Sequence, residues 1–401
     1  MDPLPRVLYV THRVPFPPDK GDRIRNYHVL RQLAKRARVW LLALADEPVP
    51  DATRTELARL CERVEYVPVG GLGRKFKMLA AAATGRSLTA GAHASMSAAV
   101  RVHEWAQEAG FAGAVVSSGG LAGYLRDKLL ECPRVVDLVD VDSQKWLDFA
   151  ASAGGPKRWL YRFEAGRTRA EEKALAEWAD AVTIVARHEA DVFDAFTRPG
   201  AATVATNGVD LDYWHPTDVP EQQALAFVGA LDYLPNVDAA GWFARDVWPQ
   251  LREQHPDAEL RLIGRKPAPA VQALAAMPGV RVVGQVPDVR PHLATAAVVV
   301  VPMRLSRGLQ NKVLEALAMG KATVAAPPAL AALKAVPGEH LLRAESPAEW
   351  VSAVNGLLDD PARRRELGLA GRRFVEANHH WDTCLAPLVD AVVPARVGVP
   401  S

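Results

Sequence analysis

Val298-Val-Val-Val-Pro-Met-Arg-Leu-Ser-Arg-Gly-Leu-Gln-Asn-Lys-Val-Leu-Glu-Ala-Leu-Ala-Met-Gly320 sets four valines ahead of a polar loop and an apolar periodicity. The valine run predicts a buried parallel strand. Val313, Leu314, Leu317 and Ala318 recur with helical spacing, and Gly320 supplies a stop signal. A further strand follows over 321–326, so the simplest reading is strand, loop, helix, strand in an α/β domain. Ser306 to Asn311 then lie beyond a strand's carboxyl end, where open α/β sheets hold ligands and a helix start offers free amides to an anion. Lys312 and Glu315, three residues apart, share one helix face. A cation for phosphate charge and a carboxylate for a ribose diol suit a nucleoside diphosphate. An ordinary helix with a solvent-facing Lys–Glu pair has the same spacing.

With 401 residues, about half of them hydrophobic, the chain is long enough to bury a sizeable core, most simply in two domains. A net charge of +2 is nearly balanced, so nothing demands nucleic acid. No early apolar run reaches membrane-spanning length, so neither a signal peptide nor a transmembrane anchor is expected. Cys61, Cys132 and Cys384 are odd in number and far apart, which suits buried thiols in a reducing compartment. His379-His380 lacks an accompanying cysteine or carboxylate set, so no metal site is expected.

From the N-terminus, 6–11 read as the first strand and Ile24 to Leu33 as the following helix. Gly21, in the loop between them, permits a close backbone approach, with Lys20, Arg23 and Arg25 near it; a plain surface loop with a charged helix start fits equally. Strands are expected at 38–44, 64–67, 112–117, 134–139, 181–185 and 201–205, and a long helix at about 156–178. Three acids, Asp137, Asp140 and Asp142, end the 134–139 run. Three charges buried together on a strand are implausible, so the strand must end early and open into a wet cleft. There Asp140 or Asp142 would orient an acceptor hydroxyl or hold the loop. Two segments mix cations with apolar or aromatic area, Arg74 to Arg86 and Lys157 to Phe163. Each suits an anionic membrane surface or an acceptor groove, and a basic turn before a packed helix would look alike.

Pro216 to Gln223 is polar and rich in proline, and marks the domain boundary. The α/β rhythm then repeats: strand 224–229, helix 237–252, strand 259–263, helix 269–276, strands 280–283 and 297–301, and helices Pro347 to Leu358 and Pro361 to Asn378. Gly229 follows the first of these strands, with Asn236 expected to cap the next helix. Arg265 and Lys266 follow the second, and Arg304 stands closest to the Lys312 helix as a phosphate candidate.

The combination of Gly229 to Asn236, Gly264, Pro302 to Gly320 and Asn207-Gly-Val-Asp210 resembles the GT-B retaining glycosyltransferases of family 4 over nearly the whole chain. Asp140 to Trp146 and Arg307 to Lys312 resemble a bacterial subgroup associated with exopolysaccharide gene clusters. The resemblance implies two Rossmann-like domains facing an interdomain cleft: 1–207 on the acceptor side, 208–377 binding the nucleotide-sugar, and 378–401 crossing back as a helix. It implies donor contacts from Gly21 and from Glu315, the latter on the ribose; the placement of the residues themselves adds Gly229, Arg265, Arg304, Gly308 and Lys312 as donor candidates and Asp140, Asp142 and Arg307 as catalytic candidates. Arg307 stands where many members place a glutamate near the donor sugar, and Asn236 roughly where a lysine is usual, so Arg304, Arg307 and Lys312 are expected to supply the missing charge. The implied activity is transfer from a UDP- or GDP-sugar to a glycan, lipid-linked or other hydroxyl acceptor, without tightly bound cofactor or metal. The expected location is cytoplasmic, against the inner face of a bacterial plasma membrane. A sugar-nucleotide epimerase of the same plan and an inactive nucleotide-sugar or glycan binder are the competing readings.

Overall fold

The apolar runs form two sheets in which every strand pairing is parallel. The structure is a computed structural model and describes residues 3–305 and 308–394. The chain divides into two units, one holding residues up to Thr206 together with those from Leu385, the other Asn207–Cys384.

In the first unit the strands are β1 (Arg6–Thr11), β2 (Arg38–Ala45), β3 (Arg63–Pro68), β4 (Gly113–Ser117), β5 (Arg134–Val139), β6 (Ala181–Ile184) and β7 (Ala202–Val204). Their order is β3-β2-β1-β4-β5-β6-β7. The direction of winding reverses between β1 and β4, so the loops after these strands diverge and leave a crevice at their carboxyl ends. Asp137 on β5 is buried, contrary to the expectation that the acids would lie in a wet opening, because Arg25 from the helix Gly21–Ala34 meets it with two hydrogen bonds of 2.7 and 2.8 Å. The strand runs the full expected length and stops at Val139, which takes a positive φ of 69°, and Asp142 begins a new helix, Asp142–Ser152. From Leu385 the last helix, Trp381–Val392, buries Leu385, Leu388, Val389 and Val392. It packs so closely on the start of β4 that a side chain at Gly113 would lie 1.9 Å from the Val392 carbonyl oxygen.

In the second unit the strands are β8 (Gln222–Val228), β9 (Glu259–Ile263), β10 (Val280–Gly284), β11 (Ala296–Val301), β12 (Thr323–Ala325) and β13 (Leu342–Arg343), in the order β10-β9-β8-β11-β12-β13. The switch point here lies between β8 and β11. Every residue of β11 is buried, as its valine run requires. The helix expected over 237–252 runs from Leu234 to Gln254 but widens into a π-turn at Phe243–Val247. Pro249, which has no N–H for the α-helical ladder, follows directly.

Candidate functional site

The two loops that leave the switch point of the second unit are tied across the crevice by side chains. After β8 comes Gly229, and after β11 the helix Asn311–Ala318. Lys312 donates to Asn236 Oδ1 at 2.6 Å, and its Nζ stands 3.7 Å from Met303 Sδ and 4.7 Å from the centre of the Phe227 ring. Asn236 is therefore not the helix cap expected of it. It lies inside the helix Leu234–Trp242, where its amide donates to the Ala230 carbonyl at 2.9 Å and turns its own oxygen to the lysine.

Gly229 is needed because a Cβ there would come within 2.9 Å of both Asn236 and Lys312 Nζ. Gly264, with φ of 153°, backs onto it: a Cβ at 264 would lie 1.7 Å from the Gly229 carbonyl oxygen. Two bare glycine backbones thus meet at the carboxyl ends of β8 and β9, with the Lys312 ammonium against one of them.

Burial lowers the Lys312 pKa to about 7, with the nearby Glu315 carboxylate opposing the shift. Burial likewise raises Glu315 to about 7, with Lys312 opposing. The two titrate as a coupled pair, and the directions follow from the same cause: each charge has lost most of its water, and the opposite charge offsets only part of that loss. Among the described residues no side-chain hydrogen bond satisfies the Glu315 carboxylate, which keeps partial exposure. An anion beside Lys312 and hydroxyl donors beside Glu315 would supply what both lack.

Arg304 is placed on the same crevice but is already engaged, donating to both oxygens of Asp238 at 3.0 and 2.5 Å and lying over the Trp242 ring. Arg265 is half-buried after β9, and Lys266 beside it is exposed with φ of 49°. Gly308 takes a left-handed φ of 60° in the loop before the helix. Arg307 and Ser306 lie outside the described residues. The Asn207-Gly208 turn supports the helix start, since the Asn207 amide donates to Asn311 Oδ1 at 3.0 Å. Sequence reasoning missed Asp238, which neutralises Arg304, and Tyr213, whose phenol lies in the field of Glu315 and under the Arg290 guanidinium at 3.8 Å.

In the first unit Gly21 opens the helix Gly21–Ala34, and no atom lies within 4 Å of where its Cβ would be, so the unit's own packing does not demand glycine. Burial, and then the nearby Glu189 carboxylate, raise Asp140 to about 6; its Oδ1 is buried without a hydrogen-bond partner. Asp142 stands 3.7 Å from Lys145. Among the described residues no group of three or more His, Cys, Asp or Glu side chains is placed to hold a metal ion.

Residues 222–360 match the family model described as glycosyl transferases group 1. No curated protein matches the chain. Solved structures resemble it over almost its full length. Sucrose-phosphate synthase from Thermosynechococcus elongatus is 16% identical, with a TM-score of 0.69, covering 96% of this chain and 97% of that one. Anabaena HepE, in a complex with UDP and glucose, is 13% identical with a TM-score of 0.68, covering 96% and 98%. WaaG, a glycosyltransferase involved in lipopolysaccharide biosynthesis, is 15% identical with a TM-score of 0.70, covering 97% and 100%. At these identities the likeness establishes the fold. The chain has the GT-B architecture of two Rossmann-like units, and its second unit is related to the glycosyl transferases of group 1.

Proposed function

We propose that the protein is a retaining glycosyltransferase that moves a sugar from a UDP- or GDP-sugar to a hydroxyl of a glycan or lipid-linked acceptor, in exopolysaccharide or cell-surface glycan synthesis. The observation that carries this reading is the cluster at the second switch point. A half-desolvated lysine sits against a bare glycine backbone, and a carboxylate without a hydrogen bond lies one helical turn further on. The diphosphate takes the lysine, with the side-chain-free Gly229 leaving room for its approach, and the ribose diol takes Glu315. The family match over this unit and the UDP complex of a protein with the same fold support the assignment.

In the proposed step the bond from the anomeric carbon to the diphosphate oxygen breaks and a bond to the acceptor oxygen forms on the same face. The acceptor proton passes to the leaving diphosphate. Negative charge grows on the diphosphate, so Lys312 stabilises the transition state more than the resting complex. Asp140 and Asp142 orient the acceptor hydroxyl on the first unit, and Arg307 acts near the donor sugar. The test incubates the protein with UDP- and GDP-sugars and a glycan extract, and follows the anomeric configuration of the product. Transfer with retention supports the reading. An epimerised nucleotide-sugar, or binding without turnover, would replace it with one of its competitors.

The reading includes contact with an anionic membrane. The helix Gly155–Trp178 exposes Trp159, Leu160 and Phe163 beside Lys157, Arg158 and Arg162. Trp159 stacks on Phe163 at 5.3 Å, and Arg167 covers the other ring at 3.9 Å while donating to the Ala82 carbonyl. Phe76, 69% exposed, belongs to the adjoining helix Gly71–Ala83; the side chains of Arg74 and Lys75 lie outside the described ones. Among the described residues no helix is long and apolar enough to cross a membrane. Vesicles containing phosphatidylglycerol are expected to carry the protein in flotation at low salt, and a Trp159→Ser/Arg162→Ser variant is expected to stay behind. Equal flotation of the two would remove this patch from the account.

A further inference from the structure

The helix Leu234–Trp242 meets both Lys312 and Arg304, and it meets them differently. Asn236 offers the lysine a neutral amide oxygen at 2.6 Å, whereas Asp238 offers the arginine a full carboxylate, gripped at both oxygens at 3.0 and 2.5 Å. Asp238 and Trp242, four residues apart, share one helix face, and the Arg304 guanidinium spans them, 5.3 Å from the centre of the indole ring. Asn236 lies in the first turn of that helix and Trp242 at its end, so this contact draws Arg304 along the helix, away from Lys312. The arginine is nonetheless rooted beside the lysine. Met303, the residue before it, places its sulfur 3.7 Å from Lys312 Nζ. The side chains of Arg304 and Asp238 are 48% and 25% exposed, so a ligand in solution reaches the pair directly.

We propose that Asp238 is a resident counter-ion that the donor's diphosphate displaces from Arg304, so that this carboxylate, touching no ligand itself, sets how tightly the nucleotide is held. The proposal deepens, and rests on, the reading of this crevice as the donor site. Lys312 brings a single charge and Asn236 none, while a diphosphate carries several. Arg304 supplies a further cation by turning its guanidinium from one pair of oxygens to another, an exchange that keeps the two-pronged geometry. The exchange costs little because the pair is exposed: Asp238 is left with its charge in water, as a buried partner would not be. The contact with Trp242 is the other interaction lost. The same competition acts on the nucleoside diphosphate that remains after transfer, since Asp238 stands ready to take the arginine back and hasten release.

Asp238→Asn removes the charge and keeps the shape, while Asp238→Glu keeps the charge. The full chain is titrated calorimetrically with UDP, GDP, ADP and TDP, and the nucleotide that wild type binds best is repeated on both variants, on Arg304→Gln and on Asp238→Asn/Arg304→Gln. Asp238→Asn is expected to bind it roughly three- to fivefold more tightly, the scale of an exposed ion pair, and Asp238→Glu to stay within about twofold of wild type. Arg304→Gln is expected to bind roughly tenfold more weakly. In that background the gain from Asp238→Asn is expected to shrink below about 1.5-fold, because no arginine is left to release. Equal or weaker binding in Asp238→Asn overturns the proposal, the weaker case making Asp238 a residue that holds Arg304 in place for the ligand. Unchanged binding in Arg304→Gln, or tightening in Asp238→Glu to the level of Asp238→Asn, overturns it as well. A gain of the same size with and without Arg304 also overturns it, leaving only the general repulsion of an anion by a nearby carboxylate. All of these leave the donor site standing, since wild type binds. Failure of wild type and every variant to bind any of the four nucleotides would overturn the donor reading itself, and the proposal with it.

Discussion

Lys312→Met weakens binding of a nucleoside diphosphate by roughly 10- to 100-fold at pH 7, the span of one charge-assisted hydrogen bond, and flattens the pH dependence of that binding. Methionine keeps the volume between Phe227 and Met303 and removes the charge together with the bond to Asn236 Oδ1. The sign of the pH effect follows from the free protein. Lys312 titrates near 7 because burial disfavours its charged form, whereas a diphosphate binds the charged form. Below pH 7 the proton is already in place. Above it, binding must draw a proton from solution, so wild-type affinity falls as pH rises from 7 to 9 and Lys312→Met shows no such fall. Glu315 supplies the opposite limb: the ribose diol binds the carboxylate, which is raised to about 7, so affinity also falls below pH 7 and that loss is absent in Glu315→Gln. The nucleotide's own ionisation is common to wild type and variants and cancels in the comparison. A wild-type profile without an alkaline limb would contradict the role given to Lys312.

Asp137→Ala has the largest expected effect on stability, roughly 3–5 kcal/mol, because it leaves the Arg25 guanidinium buried without its counter-charge. The two side chains are 1% and 2% exposed, and Thr183 adds a third hydrogen bond to the carboxylate at 2.8 Å. The pair fixes the helix Gly21–Ala34 to β5, beneath the loop that carries Asp140 and Asp142. Hydrogen exchange of the β5 amides reads the loss locally, which suits a chain of two units where a single unfolding transition is not assured. Exchange faster by roughly two to four orders of magnitude is expected in Asp137→Ala. Arg25→Met/Asp137→Leu is expected to recover most of it, since an apolar pair of similar volume removes both desolvated charges. Protection equal to wild type in the single variant would mean that the pair contributes little to holding β5.

The fold was legible because its signals are local. The valine run of β11 and the alternation of strands with helices lie within a few residues of what they specify, whereas the Pro-rich stretch from Pro216 falls inside the second unit, which begins at Asn207. What escaped depends on partners far along the chain. Asp142–Ser152 reads as an acidic loop because its helix start has no capping side chain of its own; Glu189 and Glu172 supply the acceptors, to the Val141 and Ser143 amides, from two other helices. Asn236 has the composition of a cap, and its bond to a lysine 76 residues away cannot be seen in its neighbours. Arg304 was singled out for its nearness to the Lys312 helix, and only the structure brings Asp238 to it. Lys312 and Glu315 were legible as a pair at helical spacing, whereas their shared loss of water depends on how the surrounding chain closes over them.

Calorimetric titration of the full chain with UDP, GDP, ADP and TDP, repeated on Glu315→Ala, tests the donor site most directly. The account predicts that one of these nucleotides binds in preference to the others and that the variant loses most of that affinity while remaining folded. Absence of binding to all four, or binding unchanged in Glu315→Ala, would contradict it.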